Sequence, residues 1–219
     1  SWSQGPRPEW LGSLRSERGA MWIKVCGMTT PEAVEAALAA GVDAIGFVFA
    51  KSVRRVEPAA ARALAAPARG RVACVAVTQH PEARALEEIQ AVFAPDLLQT
   101  DVADLAGFAP GTIRCPVLPV LRAGSTPPAP LPGRLLFEGP VSGTGATADW
   151  DRAREIARRT ELVLAGGLRA VNVAAAIGRV RPYGVDVSSG VESQPGVKSP
   201  AMILGFVEAA RAASLELER

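Results

Sequence analysis

The chain has 219 residues, 48% of them apolar and 21% charged, with a formal net charge of +2. Those values describe a soluble globular chain able to bury one large core, and exclude the basic excess of a nucleic-acid binder and the composition of a disordered segment. No uninterrupted apolar run reaches membrane-spanning length, and three scattered cysteines imply no disulfide framework, so a reducing cytoplasm is the expected setting.

Residues 1–20 are polar and rich in Gly, Pro and Arg, without the apolar stretch of a signal peptide. They read as an extension or expression remnant ahead of a single domain over residues 21–219; the alternative is that Trp10 and Leu11 pack over one end of the domain. From Met21 short apolar runs alternate with Ala-rich helical stretches. Trp22 to Cys26 reads as a strand, and Thr30-Pro31-Glu32 opens a helix that stops at Gly41. Ala44 to Phe49 is the near-continuous apolar strand of a parallel sheet. The alternation continues through helix Pro58 to Ala66, strand Arg71 to Val77, helix Pro81 to Val92, strand Leu97 to Gln99 and a weak helical turn near Ala103.

Cys115 to Leu121 reads as the next strand, but prolines between Ala123 and Gly133 forbid a helix there. Then come strand Arg134 to Glu138, a Gly-rich loop, helix Trp150 to Arg159, strand Leu162 to Ala165, helix Val171 to Ile177, strand Tyr183 to Val187 and a closing helix from about Ser199 to Ser214. Eight strands, six or seven helices and no polar edge strand predict an α/β (βα)8 TIM barrel whose fifth unit lacks a regular helix. An open doubly wound sheet is the structural alternative.

Active sites in such barrels stand at the C-terminal ends of the strands. Six of the eight predicted ends carry polar or Gly-rich residues; the third and fifth look bland. Ser142-Gly143-Thr144-Gly145, Gly166-Gly167 and Ser188-Ser189-Gly190 lack bulky side chains, so backbone N–H groups can approach an anion there, and the last two follow strands seven and eight, where barrels commonly hold phosphate. Cys26 closes strand one, with Lys24 two residues before it on the same face; a cation there is expected to lower the thiol pKa and make a thiolate base available. Glu138 ends an apolar strand, where partial desolvation favours a general acid. His80 is the only histidine. With no second histidine or Cys pair at ligand spacing, no metal site is expected.

These residues fall into a pattern. Ile-Lys-Val-Cys-Gly-Met-Thr (23–29), Gly-Phe-Val-Phe (46–49), Lys-Ser-Val-Arg-Arg (51–55), Ser-Gly-Thr-Gly (142–145) with Asp149-Trp150, Leu-Ala-Gly-Gly-Leu (164–168) with Asn172-Val173, Val-Asp-Val-Ser-Ser-Gly-Val-Glu (185–192) and Pro-Gly-Val-Lys (195–198) together resemble the phosphoribosylanthranilate isomerases of tryptophan biosynthesis. The resemblance spans Ile23 to about Arg211.

It implies an Amadori rearrangement needing neither cofactor nor metal, in a cytoplasmic monomer or homodimer whose partner is a small phosphoribosyl substrate. By resemblance Cys26 is the general base. Arg54, or Arg55 in a loop one residue shorter than usual, holds the anthranilate carboxylate, and Asp186 contacts the anthranilate amine. Lys24 and Gln99 join the substrate site. Gly143, Gly145, Gly166, Gly167 and Ser188 or Ser189 hold the phosphate. Two departures stand out. The family's strand six ends Leu-Leu-Asp, with the aspartate as acid, whereas this chain reads Leu-Leu-Phe-Glu; a strict match puts Phe137 at the acid position, and a shift of one puts Glu138 there. The usual Gln-Leu-His-Gly of strand four is Leu-Gln-Thr-Asp, so Thr100 or Asp101 stands near the missing histidine. A related histidine-pathway isomerase, which pairs two aspartates at strands one and five, and a barrel that only binds a phosphorylated ligand are the competing readings.

Overall fold

The computed structural model describes residues 21–139 and 149–217. Eight parallel strands pair in chain order and close on themselves: β1 Trp22–Cys26, β2 Ala44–Val48, β3 Ala73–Val77, β4 Leu97–Asp101, β5 Val117–Arg122, β6 Arg134–Glu138, β7 Glu161–Leu164 and β8 Gly184–Val187. Between and after them lie α1 Pro31–Ala39, α2 Pro58–Ala65, α3 Ala83–Val92, the single turn α4 Val102–Leu105, α5 Trp150–Ala157, α6 Ala170–Val180 and α7 Pro200–Leu217. No regular helix joins β5 to β6, as the prolines require. Local chemistry sets the helix starts. The Thr30 hydroxyl accepts the Ala33 N–H ahead of Pro31, and Asp149 accepts the N–H groups of Asp151 and Arg152.

Period-two alternation splits the strands into two layers of core. Ile23, Val25, Phe47, Leu98, Leu121, Phe137, Leu164 and Val185 point outward and pack under the helices. Trp22, Ala44, Ala73, Leu97, Leu118, Leu136 and Val163 point inward and fill the barrel. That apolar plug occupies the lower barrel, so inward positions above it are left for polar chemistry.

Several boundaries move. β3 begins at Ala73 rather than Arg71, because the N–H groups of Arg71 and Val72 both turn back to Ala68 O. β4 runs on to Asp101, and β5 runs from Val117 to Arg122, so Cys115 precedes the strand rather than opening it. A feature the periodicity did not anticipate follows β8. A 3-10 turn, Ser189–Val191, leads into a small antiparallel hairpin, β9 Glu192–Gln194 and β10 Val197–Lys198. Its Gly196 carbonyl accepts the Thr29 hydroxyl at 3.1 Å, which ties the hairpin to the loop after β1.

Candidate active site

Cys26 ends β1 pointing into the barrel, one inward position above Lys24. Lys24 is in register with Asp186 of β8, and its ammonium donates to that carboxylate at 2.8 Å with no part of the lysine exposed. A methyl group on Gly46 would lie 2.9 Å from the Cys26 sulfur and 3.2 Å from Lys24 Cε, so the bare backbone of β2 makes the room this pair needs. Burial works against the Lys24 charge, but Asp186, joined by the Cys26 sulfur, more than offsets it and holds the ammonium above its ordinary pKa. The thiol departs from expectation. Burial pushes the Cys26 pKa up, and the opposing pull of Lys24, joined by Lys198, only partly offsets it. The lysine has the predicted sign of effect; desolvation of the barrel mouth is larger.

On β6, Phe137 faces the helices and is buried in the outer core, while Glu138 faces inward, half-buried, in register with Arg122 of β5. The alternation of the strand thus separates the two side chains to opposite faces. Arg122 Nη1 donates to Glu138 at 3.3 Å, and its other edge meets Asp101 at 2.8 and 3.1 Å. The end of β5 is therefore not bland. Reading the strand as ending at Leu121 hid a cation that bridges two acids; the ladder continues, since Ala123 N–H donates to Glu138 O. Asp101, not Thr100, takes the inward place on β4: Thr100 turns outward and donates to Asp104. Below Asp101, the Gln99 side-chain oxygen is buried with no hydrogen-bond partner among the described residues, an acceptor open to a ligand. His80, Asp101 and Asp104 bring three potential ligand atoms within 4.8 Å of one another, but His80 and Asp104 pair at 2.6 Å and Asp101 pairs with Arg122.

Arg54 and Arg55 are no longer equivalent. Arg55 lies at the surface against Glu57, its side chain 55% exposed, whereas Arg54 turns in and is 8% exposed. Gly27, at φ +87°, admits it: a side chain there would stand 2.6 Å from Arg54 Cδ. Arg54 Nε and Nη2 each donate to Glu192 at 2.7 Å. Glu192 Oε1 also accepts Lys198 Nζ at 2.6 Å, and Oε2 accepts the Gly196 N–H at 3.1 Å. Burial raises the Glu192 pKa, but these donors win and bring it to about 2. Lys198 also donates to Ser188 O and Oγ at 3.0 and 3.4 Å, and Ser188 Oγ donates to Cys26 O at 3.0 Å. One hydrogen-bonded chain therefore runs from Arg54 to the strand bearing Cys26. Sequence reading quoted Glu192 and Lys198 in its motifs without assigning them a task, because the hairpin that brings them back has too few residues to show a period.

Gly166 and Gly167 both have positive φ in the loop after β7. Gly190 packs against that loop so closely that a Cβ would fall 1.9 Å from Leu168 O, which sets the turns after β7 and β8, with Ser188 and Ser189, side by side. Gly143 and Gly145 lie outside the described residues.

The profile of N-(5'-phosphoribosyl)anthranilate isomerase matches residues 23–209. The chain belongs to this family. It is 40% identical over 212 residues to the N-(5'-phosphoribosyl)anthranilate isomerase of Bradyrhizobium sp. (strain ORS 278), spanning 89% of this chain and 97% of that protein. Among solved isomerases of the family, TrpF from Jonesia denitrificans superposes with a TM-score of 0.76 at 37% identity, over 89% of this chain and 98% of that one. A phosphoribosylanthranilate isomerase in complex with reduced 1-(o-carboxyphenylamino)-1-deoxyribulose 5-phosphate matches with a TM-score of 0.73 at 28% identity, over 88% of this chain and 99% of that one. The chain is thus an isomerase of tryptophan biosynthesis on a (βα)8 barrel. Among the described residues no helix is long and apolar enough to cross a membrane.

Proposed function

We propose that the upper rim of the barrel converts N-(5-phosphoribosyl)anthranilate into 1-(2-carboxyphenylamino)-1-deoxyribulose 5-phosphate, with Glu138 as general acid and Cys26 as general base. Glu138 protonates the furanose ring oxygen, the C1′–O bond breaks, and the aryl nitrogen supplies its lone pair to form a protonated Schiff base. Cys26 then removes the C2′ proton, the electrons collapse onto the iminium, and the enolamine tautomerises to the ketone. Protons balance across the cycle: one enters at the ring oxygen and one leaves C2′. Cys26 takes the C2′ proton as the thiolate; the adjacent iminium charge favours that form against the burial that raises the thiol pKa, and the proton Cys26 gains passes through solvent to Glu138 to reset the cycle.

The observation that carries this reading is the placement of Cys26 and Glu138, both inward at the C-terminal ends of β1 and β6, above an apolar plug. The end-on edge of Arg54 suits the anthranilate carboxylate, and Asp186, beside Lys24, suits the anthranilate amine. Gln99 offers its unpartnered oxygen to a ribose hydroxyl. The turns bearing Gly166, Gly167, Ser188 and Ser189, together with Gly143 and Gly145, take the phosphate. Residues 1–20 stand outside this catalytic domain, and three free thiols suit a cytoplasmic enzyme working as a monomer or homodimer.

The test is turnover of N-(5-phosphoribosyl)anthranilate, followed by loss of anthranilate-type fluorescence, in the wild type, Glu138→Gln and Cys26→Ala. Each variant is expected to lose about 10²–10⁴-fold in kcat while still binding the reduced product analogue. Full activity in Glu138→Gln moves the acid to another carboxyl, Asp101 first. An inactive wild type that binds the analogue leaves a barrel that only binds a phosphorylated ligand.

A further inference from the structure

We propose that Lys198 makes the aryl-carboxylate end of the site selective for an anion: it neutralises Glu192, so that Arg54 keeps a whole positive charge for the ligand. The inference rests on the assignment of Arg54 to that carboxylate and adds the residue that permits it.

Glu192 occupies only one edge of the Arg54 guanidinium, the side formed by Nε and Nη2. Nη1 has no partner among the described residues, and with the second hydrogen of Nη2 it forms an end-on edge that matches a second carboxylate bidentately. The geometry invites two carboxylates on one guanidinium, and the charge count decides whether the second can stay. Arg54 and Glu192 alone sum to zero, since Glu192, with its side chain 4% exposed and its pKa lowered to about 2 by its donors, is ionised at neutral pH. Adding a ligand carboxylate to that pair would leave a net negative charge in a site largely removed from water. The ammonium of Lys198, 2.6 Å from Glu192 Oε1 and with a fully buried side chain, restores one positive charge before the ligand arrives. Among the neighbours, Lys24 and Asp186 pair with each other, Arg55 pairs with Glu57 at the surface, and Cys26, whose pKa burial raises, adds no charge while its thiol is protonated, the state in which the product analogue is bound.

Lys198 does this without touching the ligand. Its three N–H groups have Glu192 Oε1, Ser188 O and Ser188 Oγ as acceptors. It is a positioning residue, acting through Glu192 on Arg54.

The experiment compares dissociation constants of two ligands, the reduced secondary-amine analogue of the rearranged product and the same molecule with a carboxamide in place of the aryl carboxylate. Wild type is expected to prefer the carboxylate by about ten- to a hundredfold, the worth of a charge-assisted bidentate pair. Lys198→Met is expected to bring that ratio to within about threefold of unity, and Lys198→Met with Glu192→Gln, which restores the charge sum, to return it to the wild-type value. A lysine that merely braces the loop through Ser188 would weaken both ligands equally and leave the ratio unchanged. The proposal is overturned if Lys198→Met keeps the wild-type ratio while Arg54→Met loses it, or if the double variant fails to recover it. Should Lys198→Met not fold, Glu192→Gln decides: it adds one positive charge to the sum and is expected to raise the carboxylate preference above wild type, and an unchanged or lower ratio overturns the proposal. If Arg54→Met itself keeps the preference, the carboxylate binds elsewhere and the assignment of Arg54 fails instead.

Discussion

Replacing Lys24 by methionine strands a carboxylate inside the barrel, and the loss of stability this causes has a ceiling set by pH. Lys24 is wholly buried, 2.8 Å from Asp186, which burial already pushes above its ordinary pKa against the pull of the lysine. Without the lysine, Asp186 either stays ionised and unpaired, at several kcal/mol, or takes up a proton. The second route caps the cost: protonating a carboxyl whose unfolded pKa is about 3.9 costs about 4 kcal/mol at about pH 7. The cap shrinks by about 1.4 kcal/mol for each pH unit and vanishes near about pH 4.

The sign follows from linkage: a carboxyl whose folded pKa is raised costs nothing below its unfolded pKa and progressively more above it. Lys24→Met is therefore expected to lose about 3–4 kcal/mol at about pH 7 and less than about 1 at about pH 4.5, relative to wild type at the same pH. Urea unfolding followed by circular dichroism measures both, and Lys24→Met with Asp186→Asn should recover most of the neutral-pH loss. A deficit that does not change with pH refutes the reasoning and assigns the effect to packing.

Gly190→Ala forces a methyl group to within 1.9 Å of the Leu168 carbonyl, which is backbone and cannot turn aside. Separating the turns after β7 and β8 is expected to raise KM for the phosphoribosyl substrate about tenfold or more with a smaller change in kcat, and unchanged steady-state constants would show that the two turns are not coupled. Glu192, held at about 2 against 4.5, contributes stability that is present above about pH 4.5 and fades as pH falls towards about 2. The full shift corresponds to roughly 3 kcal/mol, about 2 after allowance for solvent screening, so acid unfolding of Glu192→Gln should lack that part of the wild-type pH dependence. Parallel acid curves for the two proteins would remove Glu192 as its source.

The alternation of short apolar strands with Ala-rich helices, several of them opened by a Thr or Asp cap or a first-turn Pro, was legible in the sequence by itself, because those signals act within a few residues, while closure of the sheet is a property of the fold. The period of two along β1 and β6 likewise determined that Cys26 shares a face with Lys24 and that only one of Phe137 and Glu138 can look inward. Which of those two it is, and whether Arg54 or Arg55 enters the site, depended on how strands register around a closed barrel and how a short loop folds onto a hairpin. The same holds for Arg122, whose significance lies in its register with Glu138 and its reach to Asp101, residues 16 and 21 positions away. The Cys26 thiol is the sharpest case. A cation two residues before it is legible in sequence, but the desolvation that outweighs that cation is a property of the whole barrel mouth. Glu192 and Lys198 meet Arg54 and Ser188 only because a hairpin of five strand residues folds back over the rim, and charge balance among groups brought together from 138 positions apart is a decision that belongs to tertiary structure alone.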